Sequence, residues 1–185
     1  MKKILFWGAL TLVLGAVLHF GAMVAIPHLV TNRLLSSVFS TSGNWRSEKV
    51  NQLFHASIRM AGTDKVPIDN PDIATSFGFY DVSDHPVRIH CEIPTTGNYW
   101  SLSLYGWNTD NYYVLNNKQV KGTKADLIII RKGQEYTPLP GEIVVTSPGK
   151  KGIVLVRIIV RDRNNSGEIA AVSVVQKMAY MRPLL

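Results

Sequence analysis

Val87-Arg88-Ile89-His90-Cys91-Glu92-Ile93 alternates an apolar residue with a charged or imidazole one along its whole length. A period of two is the signature of a strand with one face in the core and one in water. Pro86 and Pro94 bracket the stretch, and Thr95-Thr96-Gly97-Asn98 follows as a turn. Residues 99–105 then read as a second strand, so the two together form a hairpin or the start of a meander.

The pattern continues outward. Asn108-Thr109-Asp110-Asn111 is another turn, and residues 112–115, 127–130, 143–146 and 152–160 are short runs rich in β-branched residues. Gly and Pro punctuate them at Pro138, Pro140-Gly141 and Pro148-Gly149. Many short strands between such turns predict a sandwich or partly open antiparallel barrel, not a parallel α/β fold.

One or two helices are expected to flank it. Ser47 as N-cap, Glu48 on the helix dipole, and Val50, Leu53, Phe54, Ser57 and Ile58 at helical spacing predict a helix over residues 47–61, stopped by Gly62. Near the end, Asn165 and Glu168 have capping-box spacing, and Ile169, Val172, Val175 and Met178 fit a helix closed by Pro183. The Val-Ser-Val-Val run at 172–175 leaves a strand open there.

The N-terminus is of another kind. Lys2 and Lys3 precede about 23 uncharged residues, a helix of about 35 Å against a hydrocarbon core of about 30 Å. Phe6 and Trp7 sit where amphipathic rings favour the interface, and Pro27, Asn32 and Arg33 mark the return to water. A cleaved signal has a shorter core and a small-x-small site, whereas Met23-Val24-Ala25 puts a bulky residue first. An uncleaved anchor is therefore expected, with the N-terminus in the cytoplasm and the body outside. The predicted domains are a transmembrane signal anchor over 1–32, a linker over 33–46 and a β-rich domain over 47–185. The bilayer is the expected partner of residues 4–30. Gly8, Gly15 and Ala22 form a small-residue stripe that suits a second transmembrane helix.

The formal net charge of +7 falls to about +5 once Lys2 and Lys3 are assigned to the anchor. A basic body suits nucleic acid, anionic lipid headgroups or acidic envelope polymers. Export removes most nucleic acid from reach, and an envelope polysaccharide or protein is the expected partner, although positive charges scattered along the sequence read first as a solubilising surface. Cys91 is the only cysteine, so no internal disulfide supports the fold, and its apolar neighbours mark it as core. Phosphate-cradling, dinucleotide and nucleophile-elbow glycine motifs are absent, and no cofactor or metal is implied.

Asn70-Pro71-Asp72, then Phe77-Gly78-Phe79-Tyr80-Asp81-Val82-Ser83 and Pro86-Val87, resemble the opening of the domain of unknown function 1254 family. Gly97-Asn98-Tyr99-Trp100-Ser101-Leu102 is similar to its glycine–aromatic–strand pattern. Leu155-Val156-Arg157-Ile158-Ile159-Val160, Ile169-Ala170-Ala171, Gln176 and Arg182-Pro183-Leu184 resemble its tail. The resemblance covers roughly residues 68–185. It implies a bacterial envelope protein with a largely antiparallel β fold and supplies no reaction. The chain is expected to depart from the family in being short and without the second domain that often accompanies it.

Two constellations are candidates for chemistry. Asp69, Asp72, Asp81 and Asp84 lie close to His85 and His90, and acids with imidazoles suit a metal or acid–base site. Asp72, His85 and His90 are the catalytic candidates, although the spacing matches no standard ligand pattern. On the 99–107 strand, Tyr99, Ser101, Ser103, Tyr105 and Trp107 share the face opposite Trp100, Leu102 and Leu104. Tyr105, Trp107 and Tyr112 are the ligand-binding candidates, for a sugar or apolar group, unless a second layer covers them. The expected protein is thus a non-enzymatic, single-pass membrane protein of the bacterial envelope whose domain binds a partner or ligand. The alternative is a metal-dependent or hydrolase-type enzyme using residues 69–90.

Overall fold

Trp100, Leu102 and Leu104 share one fully buried core with Val87, Ile89 and Cys91, but these two runs belong to different sheets and do not form the expected hairpin. The computed structural model describes residues 2–39, 50–58, 70 and 72–185. The strands are β1 Gln52–His55, β2 Ile73–Asp81, β3 Val87–Glu92, β4 Trp100–Gly106, β5 Asn111–Asn116, β6 Lys124–Arg131, β7 Glu142–Ser147, β8 Lys151–Ile159 and β9 Tyr180–Pro183. The helices are α1 Lys2–Phe39 and α2 Ser166–Met178. A five-stranded sheet runs β1-β2-β8-β4-β5 and a four-stranded sheet runs β7-β6-β3-β9. All described pairings are antiparallel except β6 with β7.

The alternation in β3 works as expected. Val87, Ile89, Cys91 and Ile93 are buried, and Arg88, His90 and Glu92 face outward half-buried. Across the core, Ala74, Val154, Val156 and Ile158 complete the apolar layer. β1 touches β9, and α2 packs against β2 and β3, one strand from each sheet. Gln176 on α2 donates from Nε2 to the carbonyl oxygens of Ala56 (3.0 Å) and Thr75 (2.9 Å), tying the helix to the edge of the five-stranded sheet.

The helix expected over residues 47–61 is not formed where the structure describes it, because residues 52–55 are strand β1. A short apolar run such as Leu53-Phe54 fits either period, and pairing decides it. β1 pairs with β2 from Gln52↔Phe79 to His55↔Ser76. Asn51 enters the strand with φ +61, its N–H bonded to the Phe79 carbonyl (2.8 Å). Its amide exchanges two bonds with the Asp81 backbone. The Ser47 cap, the Gly62 stop and Pro71 lie outside the described residues.

The C-terminal helix forms, with Asn165 accepting from the N–H groups of Gly167 (3.0 Å) and Glu168 (3.1 Å). It ends at Met178, before Pro183, and the chain continues as β9 beside β3.

α1 forms its own unit. Lys2–Arg33 within it is long and apolar enough to cross a membrane, with mean hydropathy 2.2, and none of its most apolar window is buried. Pro27 lies inside the helix, which runs on to Phe39 through the first part of the expected linker. One missing backbone donor is tolerated in an apolar span, where no water competes for the remaining bonds. Methyl groups built on Gly8 and Gly15 meet nothing within 4 Å, so the small-residue stripe is open.

Candidate functional site: the outer face of the four-stranded sheet

Register places one row of side chains across the four strands: Glu142 on β7, Asp126 on β6, His90 on β3 and Tyr180 on β9. His90 Nδ1 lies 2.8 Å from Asp126 Oδ1, and Nε2 lies 3.3 Å from Glu92 Oε1. The imidazole stacks on Tyr180 (ring centroids 5.0 Å, planes 21° apart), and the Arg182 guanidinium stands 5.2 Å from the centre of the Tyr180 ring. Tyr180 is 38% exposed and the His90 side chain 16%.

The other side of this face is closed by the β6–β7 connection. Tyr136 Oη donates to Glu142 Oε2 (2.6 Å), the Leu139 N–H donates to the same oxygen (2.8 Å), and Arg88 pairs with Oε1. Glu142 is only 5% exposed. Burial alone would raise its pKa, but the Tyr136 and Leu139 bonds and the Arg88 charge outweigh it and hold the carboxyl below the usual range.

This arrangement holds charge better than it moves protons. Both ring nitrogens of His90 are engaged by carboxylates, so neither is open to a substrate without breaking a contact. Cys91, next in sequence, points into the core, where burial pushes its thiol far above its ordinary pKa.

The acidic and imidazole candidates do not converge. Asp72 precedes β2, with Oδ1 3.6 Å from Arg163 Nε, while His85 and Asp84 sit exposed in the turn beyond the other end of that strand. β2 has nine residues, so its ends lie roughly 26 Å apart. Asp81 Oδ1 accepts from the Ser83 N–H (2.9 Å), and its carboxylate meets Lys151 (3.4 Å). Asp69 lies outside the described residues. Among the described residues, no group of three or more His, Cys, Asp or Glu side chains could hold a metal ion.

Nor do the aromatic candidates share one surface. A register shift between Leu104 and Tyr105 breaks the simple alternation of the β4–β5 pair. Tyr105 is half-buried, and its hydroxyl lies 3.4 Å from Arg157. Tyr112 turns inward: its hydroxyl meets Tyr80 Oη (2.8 Å), which in turn meets Ser147 Oγ (2.8 Å). That chain of hydroxyls links β2 and β5 of one sheet to β7 of the other. Trp107 lies half-buried in the turn between β4 and β5.

A second joint involves Asn98, which is fully buried. Its Nδ2 donates to the Ile159 carbonyl (2.8 Å) and to Glu168 Oε1 (2.6 Å), while Glu168 also accepts from the N–H groups of Arg161 (2.9 Å) and Asp162 (3.2 Å). The Gly97-Asn98-Tyr99-Trp100 stretch is therefore structural: Asn98 pins the β3–β4 turn to β8 and α2, and Trp100 fills the core.

The Asn98 joint and the buried Trp100 lie within a stretch that matches a known family. The model of "Protein of unknown function (DUF1254)" matches residues 50–183. The chain belongs to the DUF1254 family. Among solved structures, this DUF1254 chain is similar to the VPA0106 protein from Vibrio parahaemolyticus, with a TM-score of 0.66 and 14% identity over 88% of this chain and 36% of that one. At that identity the likeness shows the fold. A putative uncharacterized protein from Burkholderia cenocepacia matches with a TM-score of 0.45 and 13% identity over 60% of this chain and 32% of its own. The DUF1254 chain thus spans about a third of the length of each of these structures. No curated protein matches it.

Proposed function

We propose that this DUF1254 protein is a single-pass protein of the bacterial inner membrane. Its N-terminus is cytoplasmic, and its periplasmic sandwich works as a binding module for an envelope ligand or partner. One observation carries the reading: along α1, Leu5, Leu12, Val17, Leu18 and Val24 are all exposed, which is unfavourable in water and favourable in lipid. Lys2 and Lys3 ahead of the span favour a cytoplasmic N-terminus. Binding is favoured over catalysis because His90 is held at both nitrogens and because Asp72 and His85 lie at opposite ends of β2. The test is a pair of C-terminal reporter fusions, alkaline phosphatase and green fluorescent protein. Phosphatase activity with a dark fluorescent fusion is expected; the opposite pattern contradicts the orientation.

A further inference from the structure

The end of the sandwich formed by the β3–β4, β5–β6 and β8–α2 connections carries a cluster of cations. Three hydrogen bonds hold these loops together: Ile93 N–H to the Thr123 carbonyl (2.7 Å), Asn117 Nδ2 to the Asn98 carbonyl (3.5 Å) and Asn98 Nδ2 to the Ile159 carbonyl (2.8 Å). Lys118, Lys121 and Lys124 project from the middle loop, all exposed, and Arg161 stands on the neighbouring one, its side chain 58% exposed.

The acids at this end are already engaged. Glu168 takes the backbone N–H groups of Arg161 and Asp162 and the Arg161 Nε, Asp72 faces Arg163, and Asp162 accepts from the Asn164 N–H. Glu92 is turned to His90. The three lysines make no ion pair with any described residue.

The lysine loop is also built to hold its shape. Asn116 Oδ1 accepts from the Lys118 N–H (2.9 Å), Gln119 Oε1 accepts from the Asn116 N–H (3.0 Å), and the Asn116 carbonyl accepts from Gln119 (3.0 Å) and Val120 (3.3 Å). Val120 packs against the core between the lysines. Lys118 and Lys121 stand on the turn and Lys124 begins β6 opposite Glu92, so positive charge exceeds negative along this edge, and a ligand with repeated negative charge relieves the repulsion among the lysines. Lysines are point charges without a bidentate fork, so they suit a flexible polyanion better than one planar anion.

We infer that Lys118, Lys121 and Lys124, with Arg161 beside them, form a docking surface for an acidic polysaccharide. The inference rests on the periplasmic reading above and names the ligand class for it.

The experiment uses the full chain in a neutral detergent. Binding is measured to polygalacturonate, to uncharged dextran and to vesicles containing phosphatidylglycerol, at low and high salt. The triple variant K118Q/K121Q/K124Q is compared with R131Q/K132Q/K150Q, which removes equal charge from exposed positions at the other end of the sandwich. Salt-sensitive binding of polygalacturonate but not dextran is expected, weakened about tenfold by the first variant and little by the second. Equal losses in both variants, no polygalacturonate binding by the unaltered chain, or lysine-dependent binding of the vesicles alone would each overturn the inference. The purified chain reports on the surface whatever its compartment, whereas the reporter fusions report on the compartment alone, so the two failures are distinguishable.

Discussion

Replacing Gly152 by alanine is expected to destabilise the sandwich by about 3 kcal/mol. Gly152 lies on β8, opposite Tyr80 of β2 and opposite Gly106 of β4. A methyl group built there overlaps the Tyr80 hydroxyl and the Tyr105 carbonyl oxygen. Neither can step aside cheaply. The carbonyl belongs to a central ladder, and the Tyr80 hydroxyl is held by Tyr112 and Ser147 in a buried site. Moving the ring would break the hydroxyl chain that crosses between the sheets and leave buried oxygens unpaired, at about 1–3 kcal/mol each. Urea unfolding of the detergent-solubilised chain, followed by tryptophan fluorescence, checks this. Gly149→Ala is the control, because its methyl meets nothing closer than 3.9 Å, and it should shift the midpoint little. A G152A midpoint equal to the unaltered one would contradict the packing described.

The second large effect is acid lability. Burial lowers the His55 pKa from its ordinary 6.5, a carbonyl contact from Ala179 opposes this, and Lys177 adds to it. Asp81 is also lowered: burial opposes the shift, but the Ser83 bonds and Lys151 outweigh it. Glu142 is lowered in the same way by Tyr136, Leu139 and Arg88. Glu168 is lowered chiefly by the Arg161 backbone N–H. In every case the folded group binds protons less readily than the unfolded one, so the sign is the same. These contributions are fully present above the ordinary pKa values and are lost as pH falls, for His55 below 6.5 and for the carboxylates below about 4.5. The thermal midpoint should therefore begin to fall modestly as pH drops below about 6.5, then fall steeply below about pH 4.5. His55→Gln should remove the first step and leave the second. A midpoint independent of pH from 7 to about 4 would contradict the assignment of these partners.

Much of the fold was legible because its signals are local. The alternation of residues 87–93 needs no partner strand to be read, and Asn165 caps α2 through bonds to its next two or three neighbours. β1 was misread because Leu53-Phe54 is too short to separate the two periods, and what makes it a strand is β2, paired from residue 79 back to 76. β9 escaped because Pro183 reads as a helix stop, and only pairing with β3 gives Tyr180 and Met181 their conformation. Glu168 keeps capping-box spacing, yet its carboxylate serves the β8–α2 loop and Asn98.

The site was harder to read for the same reason. His90 stood out as the imidazole on the polar face of its strand, but Asp126 and Tyr180 reach it from 36 and 90 positions further along the chain, and Glu142 reaches Arg88 from 54 positions away. Nothing near any of them announces the others. The cluster of acids around residues 69–84 looked compact in sequence and is spread out by the length of β2, since an extended strand separates what lies close in sequence.

The central claim is that α1 remains part of the mature protein and holds it in the membrane. The direct measurement is an alkaline carbonate wash of isolated membranes, followed by the intact mass of whatever carries the sandwich. The account predicts a chain that resists the wash, needs detergent for release, and has a mass that still includes the residues of α1. A lighter chain in the wash, beginning beyond Pro27, would contradict it.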